Sequence, residues 1–158
     1  MKIGERSPRE HLRLLAPLFA FLAAVWALRL VLYAAGAPLA VVRVCSVTVA
    51  GALSILFVAL LIHVRQFGGY TNVVAVAFLL QCWQQLLIVA AIAFTAFTNI
   101  PNVYSAPEYS FAQSHLRHIV GHLTFGVAFG TLFGSAMGSL LLWMLRRVAP
   151  QHDKLNPT

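Results

Sequence analysis

The sequence predicts an all-α integral membrane protein, a bundle of four transmembrane helices, on three observations. Of its 158 residues, 60% are hydrophobic and only 9% are charged, whereas soluble domains are about one-quarter charged. The mean hydropathy is +0.82. Four apolar segments, each about 20 residues long and so able to cross roughly 30 Å of hydrocarbon, use most of the chain. We therefore expect any activity to lie within the bundle or its loops.

The four predicted spans form a single membrane domain, preceded by a polar tail at 1–13. At the end of this tail, Ser7 as N-cap, Pro8 as first helical residue and Glu10 as third predict the start of the first helix. The spans are expected at about 14–35, 44–64, 72–97 and 118–145, with an outer loop at 98–117 and a second tail at 146–158.

The short connection between the second and third spans predicts an antiparallel hairpin. Arg65, Gly68 and Gly69 form a polar, glycine-containing turn there. The first span ends in Ala35-Gly36-Ala37, which could resemble a signal-peptidase site. Its apolar stretch is long for a signal peptide, however, and Arg29 interrupts its end, so we expect the span to be retained.

Lysine and arginine are distributed unevenly between the two ends of the predicted bundle. One end would carry eight of them: Lys2, Arg6, Arg9, Arg13, Arg65, Arg146, Arg147 and Lys154. The other would carry Arg43 and Arg117, with Arg29 close by. Because cytoplasmic loops carry the excess of these residues, we predict that both termini are cytoplasmic (N-in/C-in) and that the outer loop is not. The Ala/Leu/Arg-rich composition favours the inner (plasma) membrane of a bacterium.

The net charge of +7 does not predict a nucleic-acid partner. The basic residues lie at the ends of apolar segments, where they set topology and contact lipid headgroups. Membrane lipid is therefore the expected partner of these side chains.

The fourth span carries glycines at intervals of four, which places them on one stripe of the helix. These residues, called the glycine stripe below, are Gly126, Gly130, Gly134 and Gly138. Phe125, Phe129 and Phe133 form an aromatic ridge beside it. In lipid, a stripe without side chains allows two helix backbones to approach closely. The partner could be another span of this chain, a second copy in a homo-oligomer, or another membrane subunit.

Three glutamines lie near the middle of the third span. Gln81, Gln84 and Gln85 are spaced so that they share one helix face. An unpaired amide is costly in hydrocarbon, so these side chains should face the bundle interior, a partner or a polar cavity. They either hydrogen-bond between helices or form a ligand site for a quinone, a lipid headgroup or a polar solute.

Three histidines near the start of the fourth span form a candidate metal site. His115, His118 and His122 share one face if the helix extends back to about Ser114. His118 and His122, one turn apart, are the plausible pair of ligands, and Glu108 could fold back as another. The alternative is a set of interfacial histidines that hydrogen-bond headgroups or the loop.

Acidic side chains are too few for most catalytic mechanisms. They are Glu5, Glu10, Glu108 and Asp153. None lies in a span, so the chain offers neither a carboxylate pair for acid–base chemistry nor an intramembrane carboxylate for coupled transport. His63 lies at the opposite end of the bundle from His118 and His122, which argues against a haem held between them.

These observations favour a non-catalytic subunit or helix-packing scaffold of a membrane assembly. The first alternative is a metal- or redox-linked membrane protein that uses the outer histidines. The second is a small-solute or lipid transporter with a site at the glutamines. The sequence identifies no particular cofactor.

Overall fold

The computed structural model describes residues 3–4, 6–106 and 114–149, and all helices and turns below lie in these ranges. Apart from an isolated bridge between Ile3 and Arg6, the regular structure described is helical. Four helical segments are long and apolar enough to cross a membrane, which confirms this part of the predicted fold. They are Pro8–Ala34, Leu39–Val64, Tyr70–Thr98 and His115–Val148.

Two of these segments are interrupted, a feature that the sequence did not predict. The elements are α1 (Pro8–Ala34), α2 (Leu39–Val44), α3 (Val47–Val64), α4 (Tyr70–Thr98), α5 (His115–Gly121) and α6 (Val127–Val148). Ser46 caps α3 by accepting a hydrogen bond from the backbone N–H of Thr48, at 3.3 Å, which separates α3 from α2. A π-helical turn at His122–Gly126 joins α5 to α6.

The predicted start of α1 is confirmed by its hydrogen bonds. The backbone N–H of Glu10 donates to Ser7 Oγ at 3.3 Å, and the backbone N–H of Ser7 donates to Glu10 Oε2 at 2.7 Å. This reciprocal pair is a capping box, with Pro8 as the first helical residue. The predicted hairpin is also present, since only five residues separate Val64 from Tyr70.

α3 and α4 form the centre of the bundle. α1 packs on them from one side and α6 from the other, and α1 does not touch α6 in the described part of the chain. The indole N–H of Trp83 donates to the carbonyl oxygen of Phe19 at 3.0 Å, which ties α4 to α1. The glutamines therefore lie on a central helix, on which α6 can approach them.

Both described ends of the chain meet the turn between α3 and α4. The Arg6 guanidinium donates to the carbonyl oxygens of Gln66 and Phe67, each at 3.3 Å. From the other end, Arg146 donates to the carbonyl oxygen of Gly68 at 2.9 Å. The two described ends of the chain thus lie at the same end of the bundle, as expected for four helical segments that alternate in direction.

Asn72 is the buried link of this N-terminal contact. Its Oδ1 hydrogen-bonds with His11 Nε2 at 2.9 Å, and its Nδ2 donates to the carbonyl oxygen of Gly4 at 3.0 Å. The side chain of Asn72 leaves no room for a Cβ at Gly68, whose φ of +135° also favours glycine.

We expect Asn72→Leu to release the N-terminal segment from the bundle. The substitution leaves His11 Nε2 and the Gly4 carbonyl without these bonds, and an unsatisfied buried group costs about 1–3 kcal/mol. Hydrogen–deuterium exchange in residues 3–11 should become faster, while the neighbouring exposed substitution Thr71→Val should leave it unchanged. Equal exchange in Asn72→Leu and the wild type would show that the amide does not hold the segment.

The opposite end of α4 is covered by residues 99–106. Asn102 Nδ2 donates to the Ala91 carbonyl oxygen at 2.6 Å and to Thr95 Oγ1 at 2.8 Å. The guanidinium of Arg29, the one charged residue of the predicted first span, lies 5.0 Å from the centre of the Tyr104 ring. Arg29 is buried, so this charge is covered by protein at the end of α1.

Candidate functional site

The glycine stripe packs against α3 and α4 of the same chain. A Cβ built on Gly126 would lie 2.8 Å from Cδ of Gln85, and one built on Gly138 would lie 2.8 Å from Cγ1 of Val73. Gly134 faces Ile55 in the same way. Of the partners that the sequence left open, the chain's own helices therefore occupy the stripe.

The glutamine cluster lies directly beneath two of these glycines. Gln81 contacts Gly130, and Gln85 contacts Gly126. α4 has 29 residues, so it is about 44 Å long, and Gln84 lies at its midpoint. The three amides are almost fully buried, as predicted from their position in the span. The predicted packing residues and the predicted ligand residues thus form one interface.

Gln84 is accommodated by a glycine that the sequence analysis did not single out. Its amide lies against Gly51 of α3, where a Cβ would overlap Oε1. The Gln84 residue is only 2% exposed, and its Oε1 accepts no hydrogen bond from the described residues. A buried amide oxygen without a donor is energetically unfavourable, so a donor would stabilise it if the amide turned from Gly51 toward a bound molecule.

A cavity of about 220 Å³ lies between α3, α4 and α6, at the depth of these amides. Its polar lining consists of Gln81, Gln84, Gln85, His122 and Thr48. The remaining lining is apolar and includes the aromatic ridge of α6. No charged side chain lines it among the described residues. Such a cavity suits a neutral, hydrogen-bonding group with an apolar body.

His122 joins the histidines to the glutamine cluster. Its Nδ1 lies 2.6 Å from Gln85 Oε1, and its Nε2 lies 3.1 Å from Nε2 of His118. His122 is therefore close to the depth of Gln85, well inside the helix that begins at His115. It also begins the π-helical turn, a distortion that is frequent at functional sites.

The predicted metal ligands are brought together only in part. His118 and His122 approach one another, whereas no group of three potential ligands occurs among the described residues, so His115 does not complete a set. Glu108 lies outside the described residues.

The register between α4 and the helix from His115, which brings Gln85 to His122, could not be derived from either motif alone.

The aromatic ridge forms the wall of the cavity on the side away from α3 and α4. The rings of Phe125 and Phe129 stack with centroids 5.6 Å apart, and those of Phe129 and Phe133 with centroids 6.2 Å apart. All three side chains are largely exposed on the bundle surface. The ridge therefore borders both the cavity and the exposed surface of the bundle.

No family model matches the sequence, and no curated protein or solved structure shows significant similarity to it.

Proposed function

We propose that this chain is a membrane-embedded binding protein for a neutral amphiphilic molecule, which it holds between α3, α4 and α6. The observation that carries the proposal is the cavity that three buried amides and an imidazole line. Gln84 Oε1 accepts no hydrogen bond from the described residues, and a bound donor would reach it if the amide turned from Gly51 toward the cavity. Of the functions considered from the sequence, the lipid or small-solute transporter is the closest, and binding would be its first step.

The lining defines the class of ligand. The amides and the imidazole of the lining offer acceptors, so a ligand with a hydroxyl or an N–H group can donate to them. The absence of charged side chains from the described lining disfavours phosphate and carboxylate heads, which require a paired charge in such a site. Since a cavity of about 150 Å³ can hold benzene, 220 Å³ accommodates a ring or a glycerol-sized head. A quinol, a diacylglycerol-like lipid or an isoprenoid alcohol meets these requirements.

Native mass spectrometry of the protein, released gently from its own membrane, tests this proposal. We expect the 17.3 kDa chain to carry a lipid-sized neutral adduct. Gln84→Met keeps the side-chain length but removes the amide, so its adduct should fall at least tenfold, in line with the loss of about 1.4 kcal/mol or more.

The matched control is Thr131→Val, which removes a polar group from α6 on a groove outside this cavity. The adduct should persist in this variant. A wild-type chain without an adduct, or an adduct retained in Gln84→Met, would contradict the proposal.

A packing role within a larger assembly is the second candidate, and the exposed aromatic ridge favours it. The glycine stripe no longer supports this role directly, since the chain's own helices cover it. The same mass spectrum distinguishes the candidates, because a scaffold would appear at a multiple of the chain mass or with other subunits attached.

For the orientation, we propose that the end formed by Arg6, Arg65 and Arg146 faces the cytoplasm of a bacterium and that the chain lies in its inner membrane. The positive-inside distribution supports this, since the contacts of Arg6 and Arg146 gather these charges around the α3–α4 turn. Cysteine labelling from either side of sealed vesicles, at Arg65→Cys and Ile100→Cys, would test it.

A further inference from the structure

We propose that His118 and His122 bind a divalent transition-metal ion of the zinc class, and that Gln85 is the residue that orients His122 for it. This site adjoins the cavity but does not depend on its ligand.

The hydrogen bond to Gln85 determines which nitrogen of His122 is available. An amide Oε1 can only accept, so the Nδ1 that lies 2.6 Å from it carries the proton. Nε2 of the neutral ring then carries the lone pair, and this atom faces His118. Histidines that bind metals commonly donate their other N–H to a carbonyl or carboxylate in this way.

The two rings are arranged so that their Nε2 atoms converge. The Nε2 atoms are 3.1 Å apart, while the ring centroids are 4.8 Å apart. The ring planes are tilted by 38° to one another. Two nitrogens that bind one tetrahedral ion at about 2.0–2.1 Å lie roughly 3.3 Å apart, so the separation of the two Nε2 atoms is close to that of two ligands of one ion. Without an ion the contact is an N–H···N hydrogen bond, in which His118 Nε2 donates to His122 Nε2, and a bound ion would replace the proton between them.

The helix supplies the spacing for this pair. His118 and His122 are four residues apart, so they lie one above the other on the same helix face. The backbone N–H of His122 still bonds to the carbonyl oxygen of His118, so the turn that contains the pair is intact. Two imidazoles on one turn occupy neighbouring positions of a tetrahedral ion and leave the others for water or further donors. Imidazole nitrogen favours zinc, copper and nickel over magnesium or calcium.

Titration of the full chain in nanodiscs, without a histidine tag, tests the site. Zn²⁺ is followed by calorimetry, and Co²⁺ is followed by its visible absorption bands, which report nitrogen coordination. We expect one ion per chain in the wild type. His118→Ala and His122→Ala should each lower the affinity at least a hundredfold.

His115→Ala is the matched control, since it removes an imidazole one turn away from the pair. It should retain the Co²⁺ spectrum and the affinity within about threefold. Loss of binding in His115→Ala equal to that in His118→Ala would overturn the assignment, as would a wild type that binds no ion.

The orienting role of Gln85 has its own test. Gln85→Met should lower the Zn²⁺ affinity about 10- to 100-fold, the usual effect of removing such a partner. Gln85→Glu keeps an acceptor for Nδ1 and should restore the affinity and the Co²⁺ spectrum. If both variants bind like the wild type, Gln85 does not position the site. A thermal unfolding measurement on each variant confirms that the bundle is intact.

Discussion

Gly130→Leu is expected to destabilise the folded bundle by about 3 kcal/mol, at the upper end of the usual cost of overpacking. A Cβ at position 130 would lie 2.5 Å from Cδ of Gln81. Gln81 is itself buried on the central helix α4, and it also lines the cavity of about 220 Å³, so relieving the clash would push its amide into that cavity. The remaining atoms of leucine would force α6 away from α4.

Gly121→Leu, at the end of α5 in the same helical segment, provides the matched control. A Cβ at Gly121 has no heavy atom within 4 Å, so the same change of residue meets open space there. It also gains the helix propensity of leucine over glycine, roughly 0.5–1 kcal/mol. Thermal unfolding in detergent should therefore show a large fall for Gly130→Leu and no fall for Gly121→Leu. Equal melting temperatures would show that α6 is not closely packed at Gly130.

The same two variants separate internal packing from assembly. If the stripe served a second chain, Gly130→Leu would reduce the oligomeric mass while the single chain kept its stability. Because Gly130 contacts Gln81 of its own chain, we expect Gly130→Leu to lower the stability of the single chain, whether or not the wild type is an oligomer.

The local parts of the fold could be predicted because each depends on neighbouring residues. Ser7, Pro8 and Glu10 specify the start of α1 within four positions, and the capping box forms as expected. The four spans follow from apolar length alone. The predicted start of the second span, at 44, lies close to the N-cap of α3 at Ser46. The helix α2 before it was not predicted, because a segment of six residues is too short to show a helical pattern.

The site could be predicted only in pieces. The glutamines, the glycines and the histidines were recognised as three motifs, and the structure joins them at one interface. One signal for this was present. Gln81 and Gln85 are four residues apart, as are Gly126 and Gly130. The two large side chains of one helix can therefore pack into the space that the two glycines leave on the other. The sequence does not specify the register of the two helices, which brings Gln85 next to His122, 37 positions further along the chain.

The contacts of the charged residues at the α3–α4 turn also could not be predicted from the sequence. Counting Arg6, Arg65 and Arg146 indicates a side of the membrane and nothing about their partners. In the structure Arg6 and Arg146 donate to carbonyl oxygens of the turn between Val64 and Tyr70. Residues on which the predicted orientation depends therefore also tie both described ends of the chain to this turn.

Gln84→Met is expected to stabilise the empty protein while it weakens ligand binding. In the wild type without ligand, Oε1 of Gln84 is buried and accepts no hydrogen bond from the described residues. Methionine has a similar length and no amide, so the substitution removes an unfavourable group worth about 1–3 kcal/mol. For a chain of this size, each kcal/mol corresponds to roughly 2–4 °C in melting temperature.

Bound ligand should make the wild type more stable than Gln84→Met, the reverse of the order expected without ligand. A molecule that binds only the folded wild type adds RT ln(1 + [L]/Kd), about 2.7 kcal/mol at a hundredfold excess over Kd. Melting temperatures are therefore compared in delipidated detergent and after addition of lipid extracted from the source membrane. Gln84→Met should be the more stable protein in the first condition and the less stable in the second.

Gln66→Met is the control, since Gln66 is exposed at the α3–α4 turn and far from the cavity. It should follow the wild type in both conditions. If Gln84→Met is less stable than the wild type without lipid, the amide of Gln84 contributes to folding, and its burial beside the cavity needs no ligand to explain it. If the order found without lipid persists in the extract, no molecule in that membrane uses the site.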